Sequence, residues 1–226
     1  MAHWLWIHPI CSDYGRYNQN VLRGSEKLKH IEFTKGNWED KIEYAYTERF
    51  DATHKFVQEE DCIRNKENPE FLYGHDNVSL MTLEKYGVNT QIELTSAICG
   101  GEACAVLVLA NELRKNEDGV LKFGNYVEVV LWHTGVTVWF FKNTPEEGLT
   151  WHRRMRVHFP VESNVKQKLT VQFLEKYIRI FVGEQDMLLK IEELPEEVHV
   201  GLNVCEGITK VYDLTIKDGC DEVNRG

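Results

Sequence analysis

The residues best suited to chemistry here are aromatics, arginines, histidines and two glutamates, carried on strand-like segments. "YVEVVLWHTGVTVWFF", residues 126 to 141, holds Tyr126, Glu128, Trp132 and Trp139 around a central "HTG". "WHRRMRVHF", residues 151 to 159, adds His152 and Arg154. Gln172, Arg179 and His199 follow on later segments. Flat rings stack on the C–H faces of sugars, and planar polar groups satisfy hydroxyls. Ligand sites commonly combine such apolar walls with a few placed polar groups. Tyr126, Trp132 and Trp139 are therefore the candidate stacking residues, with Arg154, Gln172, Arg179 and His199 as candidate hydroxyl partners. The competing reading of each ring is burial, because aromatics dominate cores through area alone.

A catalytic reading uses the same face. Glycoside hydrolysis needs two titratable groups about 5 to 9 Å apart. Glu128 is the first candidate carboxylate, with Glu93 or His152 as its partner. An exposed strand glutamate is more often a solvated face than a catalyst. The His/Arg stripe of "WHRRMRVHF" reads most simply as solvated sheet, yet it is dense charge for an acidic chain. It suits an acidic ligand, since arginine grips carboxylate and phosphate in a fork.

Other chemistries have less support. "GHDN" (74 to 77) and "NEDG" (116 to 119) offer oxygens at turns, but Asp and Asn favour turns regardless. No HxxxH or HxH spacing, phosphate loop or nucleophile elbow is present, and no metal or cofactor is expected. Six cysteines are dispersed without a CxxC pair, which disfavours a zinc site. Cys99 and Cys104 flank "GGEA", where a hairpin would bring them close; reduced thiols are the expectation in a reducing compartment.

The elements that must position these residues are strands. "ACAVLVLANEL", "NYVEVVLW", "VTVWFFKN", "WHRRMRVHFPV", "KLTVQFL", "YIRIFV", "MLLKI", "EVHVGLNV" and "KVYDLTI" run on with short turns. Many short strands with turn residues between them predict a sandwich or barrel. Taking Thr134 and Gly135 as a two-residue turn pairs Leu131 with Val138 and Val129 with Phe140. That face is aliphatic. The other carries Tyr126, Glu128, Trp132, Trp139 and Phe141. The same division puts Trp151, Met155, Val157 and Phe159 in the core, with His152, Arg154, Arg156 and His158 opposite. With Glu175 and Lys176 as a turn, Leu169, Val171 and Phe173 join Ile178, Ile180 and Val182. Gln172 and Arg179 then point the other way, as His199 and Asn203 do in "EVHVGLNV". If these strands are neighbours in one sheet, their second face is one broad aromatic and polar surface.

The 226 residues suit one domain, 1 to 226, with 1 to 50 as wrapping strands and loops and 70 to 218 as sandwich core. A formal charge of −10 argues against nucleic acid as partner. No segment reaches the roughly 18 apolar residues of a membrane span. The first apolar run lacks a basic flank and is broken by His8 and Pro9, so the expectation is a soluble, cytoplasmic protein. Oligomeric state is not legible.

The order "WHRRMRV", "KLTVQF", "YIRIFVGEQDMLLKI", "VGLNV", "VYDLTIKD" resembles the C-terminal half of concanavalin A-like lectin and glucanase domains. "ACAVLVL" and "GNYVEVVL" look like earlier strands of such domains. The resemblance covers roughly residues 70 to 218. It implies an all-β, two-sheet antiparallel β-sandwich of jelly-roll type, and an oligosaccharide or glycan as partner. It does not fix the activity, because lectins, binding modules and hydrolases share this fold. Laminarinase-type members carry Glu-x-Asp-x-x-Glu on one strand. This chain has no such motif: "YVEVVLW" holds Glu128 alone. Carbohydrate binding is thus the first expectation, a glycoside hydrolase or lyase on the same face the second, and a protein-interaction module the third.

Overall fold

The computed structural model describes residues 28–46, 56–66, 78–100, 102–205 and 207–219. Among them the regular elements are strands: β1 (Leu28–Glu32), β2 (Glu43–Tyr46), β3 (Val57–Gln58), β4 (Ile63–Arg64), β5 (Val78–Gly87), β6 (Thr90–Cys99), β7 (Cys104–Ala110), β8 (Leu113–Lys115), β9 (Leu121–Phe123), β10 (Tyr126–Trp132), β11 (Gly135–Thr144), β12 (Gly148–His158), β13 (Gln167–Leu174), β14 (Tyr177–Val182), β15 (Gln185–Lys190), β16 (Glu197–Cys205) and β17 (Ile208–Lys217).

They form two sheets. Sheet A runs β15-β14-β13-β6-β17-β4-β3, with β1 also on β17. Sheet B runs β12-β11-β10-β7-β16-β5-β2-β9-β8. Pairing is antiparallel except between β2 and β9. This is the two-sheet antiparallel sandwich that the resemblance implies, and it resolves the sandwich-or-barrel choice left by the strand pattern.

Alternation builds the core. Ile92, Leu94, Leu169, Val171 and Phe173 of sheet A share one buried cluster with Leu107, Leu109, Val129, Val138 and Leu202 of sheet B. Burying each such side chain stabilises the fold by about 1.5–3 kcal/mol. The Glu175–Lys176 turn forms as expected, pairing Phe173 with Ile178, Val171 with Ile180 and Leu169 with Val182. Lys176 takes the left-handed φ of 57° that the tight turn requires. Val198, Val200, Leu202 and Val204 are all fully buried.

The β10–β11 hairpin turns one residue earlier than expected. His133 and Thr134 form the turn, and Leu131 pairs with Val136. Gly135, at φ 123°, supplies the unusual backbone just after it. The partner of each β10 residue thereby moves by two positions, which leaves every side chain on its expected face.

The β11–β12 pairing departs more. Val138 pairs with Met155, but Trp139 pairs with Arg153, so Arg154 is an inserted bulge residue. Beyond a bulge the alternation of one strand reverses against its partner. Met155, Val157 and Phe159 pack on the core as expected. Trp151 does not: it lies opposite Phe141 and is 51% exposed.

Cys99 and Cys104 lie one in each sheet and are not bridged to each other. Cys11, Cys220 and "GHDN" fall outside the described residues. In "NEDG", the Asn116 Oδ1 accepts from the Val120 N–H at 2.8 Å, so the turn uses that oxygen itself. Among the described residues no group of three or more His, Cys, Asp or Glu is placed to hold a metal. No helix among them is long and apolar enough to cross a membrane.

Candidate functional site

The outer face of sheet B has a regular grid. Reading across β10, β11 and β12, its rows are Trp132–Gly135–His158, Val130–Thr137–Arg156, Glu128–Trp139–Arg153 and Tyr126–Phe141–Trp151. β12 is the last strand of the sheet, so the third column faces open solvent. Rows are about 7 Å apart along the strands and columns about 4.8 Å apart across them.

The grid grades from buried to exposed. Tyr126 is only 2% exposed; it stacks on Phe141 at 4.4 Å and meets Phe123 edge-on at 5.0 Å. It is a packing residue, which corrects its expected place as a stacking surface. Glu128 is 8% exposed, between Trp139 on one neighbouring strand and Val108 on the other. Trp132 and Trp139 are half-buried, with part of each ring open. Arg153, Arg156, His158 and Trp151 are exposed.

Between Trp132 and Trp139 the floor is low. Gly135 has no side chain, and Thr137 is small and buried. A Cβ on Gly135 would lie 2.1 Å from the Val157 carbonyl oxygen, so no larger residue fits. The Trp132 and Trp139 indoles therefore flank a stretch of small, buried residues, a trough in side-chain size, with the exposed Arg156 and His158 beside it on β12. The Arg153 guanidinium lies 5.8 Å from the Trp139 ring centre, in cation–π range.

The other candidates are elsewhere. Arg154 is turned away by the bulge: its guanidinium sits 5.2 Å from the Phe140 ring and pairs with Glu193. Arg153 occupies the place expected for it. His152 pairs with Phe140 across the strands, before the bulge, and is not in the Trp139 row. His199 shares the outer face of sheet B but stands three strands from Phe141, beyond Ala110 and Tyr126. Its Nδ1 lies 3.2 Å from the Thr82 carbonyl, and burial lowers its pKa.

Gln172, Arg179 and Glu93 belong to sheet A. They lie on its outer surface, with the whole core between them and Trp139. Gln172 donates to the Gln91 side chain at 3.1 Å. Arg179 grips Asp186 through two bonds of 2.9 and 2.8 Å. Glu93 accepts from Lys168 at 2.9 Å and Gln91 at 2.7 Å. Burial pushes its pKa up, but these bonds outweigh that and hold it below the ordinary value. Such a group keeps its charge, which suits an ion pair and not a general acid. The expected single surface is thus two opposite surfaces, and Glu93 and Glu128 do not meet.

Sequence alone missed Arg153, Trp151 and the Gly135–Thr137 floor. Nothing in "WHRRMRVHF" marks which arginine is the inserted one.

No protein-family model matches the chain, and no curated protein matches it in sequence. Solved structures match in fold. A carbohydrate-binding module from Bacillus subtilis aligns with TM-score 0.56 at 12% identity, over 79% of this chain and 96% of that one. β-Agarase A from Zobellia galactanivorans gives 0.60 at 7% identity, over 86% and 93%. The apo Crh5 transglycosylase gives 0.54 at 12% identity, over 85% and 84%. The chain thus has the concanavalin A-like jelly-roll fold that its strand order resembles.

Proposed function

We propose that the chain binds an oligosaccharide in the trough on the outer face of sheet B. The supporting observation is the pair of half-open indoles, Trp132 and Trp139, standing over a floor of Gly135 and Thr137. Each offers an apolar plate to the C–H face of a sugar. The exposed β12 side chains Arg153, Arg156 and His158 offer hydroxyl partners along the open edge. The fold neighbours support the choice of ligand: a carbohydrate-binding module, an agarase and a transglycosylase are built on the same sandwich. Tyr126, Gln172, Arg179 and Arg154 have no part in this reading.

Catalysis is the second reading, and Glu128 beside Trp139 is what favours it. It needs a second titratable group within about 5 to 9 Å. Glu93 does not supply one. Binding without turnover is the simpler assignment.

The test is a tryptophan-fluorescence titration with a panel of oligosaccharides, on wild type and Trp139→Ala. A saturable shift in the wild type, weakened about tenfold or more in the variant, is expected. Trp139 is partly open, so the variant remains folded by circular dichroism. A wild type unresponsive to every sugar would remove the reading. Assay of the bound sugar for cleavage, with Glu128→Gln as control, decides between binding and hydrolysis.

A further inference from the structure

We propose that the sugar held by this trough is anionic, carrying a carboxylate or a sulfate that Arg153 and Arg156 bind. The inference rests on the saccharide reading of the same face.

Its basis is the pairing of the arginines. The described residues include Arg64, Arg114, Arg153, Arg154, Arg156 and Arg179. Arg64 pairs with Glu59, Arg114 with Glu112, Arg154 with Glu193 and Arg179 with Asp186. Arg153 and Arg156 have no carboxylate partner among the described residues. The chain carries 36 acidic against 26 basic residues, so two uncompensated arginines on one face are not a by-product of excess basic charge. Both are exposed, both sit on the solvent-facing column of the grid, and both border the trough.

The bulge makes this arrangement. It places Arg153 in the Trp139 row and leaves Arg156 in the Thr137 row, one step along the same face. Their rows are about 7 Å apart along the sheet, a spacing that suits one acid group or acid groups on neighbouring sugars. The Trp139 ring beside Arg153 limits where that guanidinium wanders, which lowers the entropy lost on binding. Guanidinium matches the planar two-oxygen edge of a carboxylate, and a sulfate presents a similar edge.

The nearest acid on the grid does not cancel this charge. Glu128 lies two columns from Arg153, roughly 10 Å across the sheet, with Trp139 between them. It is 8% exposed, whereas both arginines reach solvent. The geometry therefore orients the ligand: apolar sugar faces over Trp132 and Trp139, acid groups outward over β12.

The experiment compares three probes of matched length: an oligomannuronate, a carrageenan oligosaccharide and a neutral cello-oligosaccharide. Binding is followed by calorimetry on wild type, Trp139→Ala, Arg154→Gln and the double variant Arg153→Gln/Arg156→Gln. Exposed arginines tolerate substitution with little effect on folding, which circular dichroism checks. The expected result is a charged probe bound about tenfold or more tighter than the neutral one, and weakened by salt between about 50 and about 500 mM. The double variant brings that probe down to the neutral level, Arg154→Gln leaves it unchanged, and Trp139→Ala weakens every probe. Which charged probe responds tells carboxylate from sulfate.

Three results overturn the proposal. Neutral and charged probes bound alike, with the double variant inert, leave the saccharide site standing but not its charge preference. A charged probe bound equally by the double variant places the anion elsewhere. No probe bound by folded wild type removes the saccharide reading and this inference together.

Discussion

At the scale of single residues, Tyr126 and Trp139 share a face, as alternation requires, yet one is 2% exposed and the other half-open. What separates them is the neighbour: Phe123 and Phe141 close over Tyr126, while Arg153 leaves part of Trp139 uncovered. Neither neighbour is near in a way that sequence spacing reveals. The distinction has a measurable consequence. Tyr126→Ala empties a fully packed ring site and costs about 3–5 kcal/mol of folding stability, read from urea unfolding. Tyr126→Phe keeps both ring contacts and leaves sugar affinity at the wild-type level. If Tyr126→Ala unfolded at the wild-type urea midpoint, the ring would be a surface residue and the grading of the grid would be wrong.

At the scale of elements, the hairpin and the bulge decide the site. Period-two alternation identified the core faces of β10, β11, β13, β14 and β16, because a buried face repeats every second residue. Register was harder. The turn at His133 and Thr134 differs from the expected one, but a two-residue shift in pairing is invisible in burial. The β12 bulge is visible in burial and invisible in sequence, since Trp151 and Met155 are four positions apart and alternate alike. Gly135 ties these features together. Its φ of 123° and the 2.1 Å approach to the Val157 oxygen leave no room for a methyl group. Gly135→Ala therefore costs about 1–3 kcal/mol from backbone strain, and more as β12 is pushed aside. Because β12 carries both site arginines, a variant that still folds binds sugar more weakly. Thermal unfolding and a titration on the same sample test both halves. Unchanged Tm with unchanged affinity would mean that β11 and β12 are not held this closely.

At the scale of the whole molecule, alternation could not say which strand lies beside which. β6 sits between β13 and β17 and draws β13, β14 and β15 into sheet A, while β16 crosses into sheet B between β7 and β5. That topology sends Gln172 and Arg179 to the far side of a core about 10 Å thick. The sandwich is also clasped at one corner. Glu59, in the turn between β3 and β4, accepts from Lys210 of β17 at 2.6 Å and from Arg64 of β4 at 2.8 Å. The Lys210 bond first, then the Arg64 bond, hold the Glu59 carboxyl down at about 2. Its folded pKa thus lies below the unfolded value near 4.5. The stabilisation is complete above that unfolded value and is lost as pH falls through the folded one. Its size is modest, because the Glu59 side chain is 31% exposed and solvent screens the pair. Other paired carboxylates, Glu93 among them, add to the acid response, so the informative quantity is a difference. Urea unfolding of wild type and Glu59→Gln at about pH 6, 4.5 and 3 should show the stability gap narrowing as pH falls, since only wild type has this charge to lose. Parallel loss in the two proteins would mean that the clasp contributes nothing across this range, and that the corner is held by the backbone pairing of β4 with β17 alone.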